Sequence, residues 1–373
     1  MSQSTYYTVI GAGHGGKTMA AHLALMGFQT TLFNRTLEHV IAIRRRGGIE
    51  VESGDGETHG FGRLKAVTDN LAEALAPAQV VMVVVPSTAH AEVAAAAAPH
   101  LRDRQIVILH PGRTCGAIEF VKTLRDSGCQ AKVIVAEAET LIYACRSEGP
   151  AQVRIFRIKE AVPLAALPAC RTAQVLEAIA PAYPQFVDGI SVLHTSLNNM
   201  GAIFHPALTI LNAGRIESTR GEYQFYIEGV TPSVARVLEV LDRERVTVAA
   251  SLGIRTRTAK EWLKMAYDAS GEDLYEAIQN QPGYYGITAP PTLNHRYITE
   301  DVPMSLVPIA ALGQQYGVSV RGMDSIIRLA CIIHRTDYWR RGRTLDKLGI
   351  QGLSVGEITE FVNKGTCEGG TIA

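Results

Sequence analysis

"YYTVIGAGHGGKTMAAHLALMGFQTTLFNRT", running from Tyr6 to Thr36, decides how the rest of the chain is read. Tyr6–Ile10 has the aromatic and β-branched composition of a short strand. Gly11, Gly13 and Gly16 follow at once in a G-x-G-x-x-G spacing, and Lys17–Met26 continues as a helix-compatible run closed by Gly27. "QTTLF", Gln29–Phe33, then supplies a second strand. Each missing side chain has a use. Gly11 permits a tight turn, Gly13 lets backbone approach a pyrophosphate, and Gly16 lets helix and strand pack closely. The helix N-terminus offers free amides and the positive end of its dipole to phosphates. A glycine pattern alone is weak, but one set between a strand and a helix is strong. Gly11, Ala12, Gly13, His14, Gly15 and Gly16 are therefore expected to hold a dinucleotide, the alternative being a glycine-rich structural turn.

The residues after the second strand bear on which dinucleotide. An NAD site carries an acidic residue here for the ribose hydroxyls, whereas this chain reads Asn34-Arg35-Thr36. Asparagine does not repel a 2′-phosphate and Arg35 can pair with one. NADP is favoured over NAD on this ground, against a solvated Arg35 and use of either cofactor.

"VVMVVVP", Val80–Pro86, is apolar without alternation, as a parallel strand covered on both faces should be. "QIVILHPGRTCG" (Gln105–Gly116) reads as strand then turn, and "KVIVAEA" (Lys132–Ala138) as another strand. The loops that follow, with Pro86, Ser87, Thr88 and Arg113, would lie at the carboxyl ends of the strands where ligands bind. Arg113 bracing its own loop is the equal alternative. "TLIYACR", "AQVRIFRIK" and "AVPLAALPA" are expected as short strands that extend or edge the sheet. The alanine run Ala94–Ala98 reads as a helix on that sheet. The fold class is α/β plus all-α: a Rossmann-type doubly wound domain over residues 1–190, then an all-helical domain over 191–373.

With 36 basic and 36 acidic residues the formal charge is zero. That removes the electrostatic case for nucleic acid or an anionic membrane as partner. "RRR", Arg44–Arg46, reads as a solvated helix end. Six cysteines without CxxC spacing suit a reducing compartment. No apolar run reaches transmembrane length and no leader is read, so a cytoplasmic location is expected. "TDYWRRG", Thr336–Gly342, leaves a homodimer and a solvated end equally open.

From Thr195 onward helix-like spacing dominates, as in "TPSVARVLEVLDRERVTVAASLGI" with its Thr cap, Pro at the first helical position and closing glycine. One apolar segment, "SLNNMGAIFHPALTILNAGRIE" (Ser196–Glu217), carries His205 before Pro206, with Asn198, Asn199 and Asn212 around it. "APPTLNHRYITEDVPMSLVP", Ala289–Pro308, is proline-rich and charged, and its composition alone suggests a surface loop. His194, His205 and His295 lack the short spacing of zinc helices, so no metal is expected.

Three of these motifs carry a resemblance: "GAGHGG", "LNNMGAIFHPALTILNAGRIE", and "RYITEDVP" followed by "LVPIAALG". The chain resembles the octopine/nopaline (opine) dehydrogenase family over nearly its whole length. The resemblance implies reductive joining of an L-amino acid to a 2-oxo acid such as pyruvate or 2-oxoglutarate, with hydride from a nicotinamide cofactor. It implies a Rossmann domain and a helical domain with the site in the cleft. It also implies that His205 is the catalytic histidine, Asp301 its acidic partner, and Arg296 a substrate-carboxylate ligand. Asn198 and Asn199 are further expected substrate contacts. Two other classes stay open: a ketopantoate-like 2-oxo-acid reductase making an alcohol, and a non-catalytic NADP-binding regulator.

Overall fold

The computed structural model describes residues 5–54, 56, 58–367 and 370–371. The chain divides into two compact units, Met1–Thr195 with Glu357–Ala373, and Ser196–Gly356. The expected helical span of 191–373 therefore differs at its end, where the segment from Glu357 groups with the first unit. That segment belongs to a helix, Val355–Lys364, that buries Ile358, Phe361 and Val362. Helical periodicity reports a buried face without reporting which core receives it.

The first unit is built on strands β1 (Tyr6–Ile10), β2 (Gln29–Phe33), β3 (Gly48–Ser53), β4 (Gly60–Arg63), β5 (Ala66–Thr68), β6 (Val80–Val83), β7 (Ile106–Leu109), β8 (Ile134–Ala138), β9 (Tyr143–Gly149), β10 (Gln152–Ile158), β11 (Val162–Leu167) and β12 (Phe186–Asp188). Eight of them form one sheet in the order β12-β11-β8-β7-β6-β1-β2-β5. Its pairs are parallel except that β11 runs antiparallel to β8. Every residue of β6 and β7 is buried, which is why both read as unbroken apolar runs. Helices α1 (His14–Leu25), α2 (His90–Ala97), α3 (Gly116–Asp126) and α4 (Thr172–Ile179) complete the α/β layering.

β11 extends this sheet as expected, but β9 and β10 do not edge it. They join β3 and β4 in a separate sheet of order β4-β3-β10-β9. β9 alternates between more and less exposed positions, the pattern of a strand with one solvated face. α1 lies close to this second sheet: a Cβ on Gly62 would sit 2.4 Å from the Ala21 carbonyl oxygen. β3, β4 and β5 have no counterpart in the sequence reading, because their glycines and charges obscure any period. Arg44–Arg46 form the last turn of a short helix, Ile41–Arg46, as read.

The second unit is helical. It includes α5 (Gly201–Leu211), α6 (Pro232–Ser251), α7 (Ala259–Tyr267), α8 (Arg296–Thr299), α9 (Val307–Gln315) and α10 (Arg321–His334). Thr231 caps α6 by accepting from the Val234 amide, and Thr258 with Glu261 forms a capping box on α7. Between α8 and α9, Val302–Leu306 is a π-helical turn. Pro303 has no amide hydrogen for a regular ladder, and a widened turn accommodates it. The stretch whose composition suggests a surface loop is thus largely helical and, from Glu300 to Pro308, buried.

Candidate active site

In the first unit, the loop after β1 gives each glycine a separate physical reason. Gly11 has φ +106°, and a Cβ there would lie 2.4 Å from the Val84 carbonyl oxygen. A Cβ on Gly16 would lie 1.9 Å from the Gly11 carbonyl oxygen, so helix and loop touch through bare backbone. Gly13 is different: a Cβ there meets nothing within 4 Å. It occupies the N-cap of α1, where no side chain caps the first turn. Open space in front of uncapped amides fits a pyrophosphate. Beside it lies a cavity of ≈ 380 Å³ lined by Ala12, Gly13, His14, Lys17 and the β9–β10 turn. The ring of His14 is committed to that turn, its Nδ1 accepting from the Ser147 amide at 2.8 Å. Lys17 Nζ donates to Ser147 Oγ at 3.3 Å, and burial pushes the Lys17 amine below its ordinary range.

Asn34 is likewise committed. Its Oδ1 accepts from the Ala12 amide at 3.2 Å and its Nδ2 donates to the Thr36 carbonyl at 2.8 Å. It braces the glycine loop against the end of β2. Arg35 projects outward and pairs with Glu92 of α2, a residue with no signal in the sequence. Pro86 and Ser87 open the turn before α2, with Ser87 buried. Arg113 has φ 61° and Cys115 φ 61°, so the loop after β7 holds two non-glycine residues in the left-handed region.

In the helical unit, α5 carries His205 and the π-turn is preceded by Asp301. His205 Nδ1 and Asp301 Oδ2 lie 2.9 Å apart; the imidazole is 19% exposed and the carboxylate 0%. One face of the imidazole stacks on Tyr297, centroids 4.1 Å apart and planes at 20°. Tyr297 in turn stacks on Phe225 at 5.2 Å. Asn199 is buried and its Nδ2 donates to Ser305 Oγ at 2.9 Å, joining the start of α5 to the π-turn. Asn198 is half-buried. Arg296 Nη2 sits 2.8 Å from Glu300 Oε2; the arginine is 53% exposed and the glutamate 3%. The pairing follows from their i,i+4 spacing, a legible signal that the sequence reading passes over. Asn212 braces α5, its Nδ2 donating to the Leu208 and Gly229 carbonyls. Burial, then the neighbouring charges of Arg296 and His205, push the His295 imidazole below its ordinary range. Tyr297, Ser305 and Phe225 carry no chemical motif, and only the folded positions associate them with His205. Among the described residues no group of three or more His, Cys, Asp or Glu could hold a metal ion, and no helix is long and apolar enough to cross a membrane.

Comparison with known proteins separates the two halves. Residues 189–334 match the family described as NAD/NADP octopine/nopaline dehydrogenase, alpha-helical domain. Residues 7–155 match ketopantoate reductase PanE/ApbA. An opine dehydrogenase of Arthrobacter sp. (strain 1C) is 39% identical over 97% of this chain and 100% of its own length. Octopine dehydrogenase in complex with NADH and agmatine superposes with a TM-score of 0.83 at 21% identity, covering 95% of this chain and 98% of that one. NADP⁺-bound yersinopine dehydrogenase superposes at 0.71 and 14% identity, covering 98% and 99%. The protein is an oxidoreductase acting on CH–NH groups. It belongs to the opine dehydrogenase family.

Proposed function

We propose that the protein condenses the amino group of an L-amino acid with a 2-oxo acid and reduces the product to an N-(carboxyalkyl)amino acid, favouring NADPH over NADH. The observation that carries this reading is the 2.9 Å contact between the His205 imidazole and the fully buried carboxylate of Asp301. Asp301 accepts from Nδ1, which leaves Nε2 as the working nitrogen of a partly exposed ring. Nε2 takes a proton from the substrate ammonium, freeing the amine to attack the oxo carbon. It then returns a proton to the carbinolamine hydroxyl, which leaves as water and gives the protonated imine. The dinucleotide, when bound on the Gly11–Gly16 loop, supplies the hydride that reduces the imine carbon. Tyr297 restricts the tilt of the imidazole through its stacked face. Arg296, half exposed and held by Glu300, presents its remaining donors to a substrate carboxylate. Asn198 orients substrate, while Asn199 acts one step removed, by fixing the π-turn that follows Asp301. Ser87, Pro86 and Arg113 contact the cofactor from the ends of β6 and β7. Asn34 and Arg35 favour NADPH because neither repels a 2′-phosphate.

The test is NADPH oxidation by purified protein with L-amino acids crossed with pyruvate, 2-oxoglutarate and oxaloacetate. Turnover that requires both substrates is expected. Oxidation with an oxo acid alone, unchanged by any amine, would replace this reading with an alcohol-forming reductase. His205→Ala and Asp301→Asn are expected to lower kcat by roughly 10²–10⁴-fold with nucleotide affinity intact. Unchanged turnover in His205→Ala removes the imidazole from the mechanism.

A further inference from the structure

The exit of β2 lacks the acidic side chain that a ribose 2′-hydroxyl usually meets, yet a carboxylate stands there all the same. It comes from Glu92, in the first turn of α2, and it is paired with Arg35. β1 lies between β2 and β6 in the sheet, and α2 follows β6 through the turn at Ser87–Ala89. The Arg35–Glu92 bridge therefore spans the carboxyl end of β1, where the glycine loop begins. Both side chains are open to solvent, at 76% and 60% exposure, so neither is immobilised by packing. Asn34 cannot move in to take either role, since its amide holds Ala12 and Thr36.

We propose that Glu92 is a dinucleotide-selectivity residue: it occupies Arg35 when the adenosine ribose carries a 2′-hydroxyl and opposes a 2′-phosphate for the same guanidinium. The proposal rests on reading the Gly11–Gly16 loop and Arg35 as the adenosine end of the cofactor site. A solvated ion pair is weak, and a phosphate with near-dianionic charge and three acceptor oxygens forms the stronger partner for arginine. NADPH thus binds by opening the bridge, and the displaced carboxylate remains close enough to repel it. NADH leaves the bridge closed. The selectivity set by Arg35 is in this way held down by a residue 57 positions further along the chain.

Dissociation constants for NADPH and NADH, from nucleotide fluorescence, test this in the wild type, Glu92→Gln, Arg35→Gln and the double variant. Competition by 2′,5′-ADP and 5′-AMP repeats the comparison without the nicotinamide. Glu92→Gln is expected to tighten NADPH and 2′,5′-ADP by about three- to fivefold while NADH and 5′-AMP stay within about twofold. Arg35→Gln is expected to weaken NADPH by about tenfold, and adding Glu92→Gln to it should recover little, because the gain acts through the guanidinium. If Arg35→Gln weakens NADPH but Glu92→Gln alters both nucleotides equally or neither, the role of Glu92 is overturned and the placement of the cofactor stands. If neither variant changes any affinity, the placement of Arg35 at the adenosine end is wrong, and the proposal fails with it.

Discussion

Gly13 and Gly16 are two residues of one motif, glycine for different reasons, and single substitutions should separate them. A methyl on Gly13 enters open space and meets no protein atom within 4 Å. Its φ of −73° is one that alanine adopts freely. Gly13→Ala should therefore leave the midpoint of thermal unfolding unchanged while weakening nucleotide binding by about tenfold, because the methyl stands where the pyrophosphate must approach. A methyl on Gly16 would be driven to 1.9 Å from a backbone oxygen that no rotamer change can move. Gly16→Ala should cost stability of about 1–3 kcal/mol as well as affinity. Differential scanning fluorimetry with and without NADPH reads both. A Gly13→Ala protein that melts early, or that binds like wild type, would show that the loop's geometry is structural rather than ligand-directed.

Among the elements, α6 does more than its amphipathic pattern suggests, through one buried ion pair. Arg245 is fully buried, with Nη2 2.6 Å from Asp242 Oδ1 one turn earlier. Nη1 donates to the Leu197 carbonyl at 2.6 Å, and Asp242 Oδ2 accepts from the Ala259 amide at 2.7 Å. The pair thus ties α6 to the chain just before Asn198 and to the first residue of α7. A charge pair taken out of water is poor stabilisation compared with apolar packing, but removing one member strands the other. Asp242→Asn should lower the stability of the helical unit by about 3–5 kcal/mol, whereas replacing both residues, Asp242→Leu with Arg245→Met, should cost much less. Both tryptophans, Trp262 and Trp339, lie between Ser196 and Gly356, so their fluorescence in a urea series follows this unit. A double variant as unstable as Asp242→Asn would mean that Arg245 contributes through its backbone ties and not through charge.

At the level of the whole molecule, what could be read from the sequence tracks how local its cause is. The glycine loop, the doubly covered strands β6 and β7, and the capped start of α6 each follow from a few neighbouring residues, and each was legible. The second sheet was not, because β3 finds β10 about a hundred residues away and the glycines of "GGIEVESGDGETHGFGR" hide its alternation. The approach of His205 to Asp301, 96 positions apart, was readable only through family resemblance. Tyr297 and Ser305 were invisible for the same reason: packing selects them, and no spacing does. Buried histidines are a similar case, since nothing local marks His110 as lying inside the first unit. It is 2% exposed, and burial pushes its imidazole down to about 3. In the unfolded chain the same group titrates near 6.5. Below that value the unfolded state takes up a proton that the folded state refuses, so stability falls as pH drops from about 6.5 towards 3. The slope from this one residue rises to about 1.4 kcal/mol per pH unit as pH falls towards 5. His22 and His194 are lowered by burial too, in the same unit, so a smaller slope should persist without His110. Urea midpoints followed by far-UV circular dichroism, with tryptophan fluorescence accounting for the helical unit, should show the loss between pH 6.5 and 5, before the carboxylates titrate. Whatever His110→Phe costs at pH 8, its stability should decline less steeply over that window, and a slope equal to wild type would mean that the folded protein admits the proton at His110 after all.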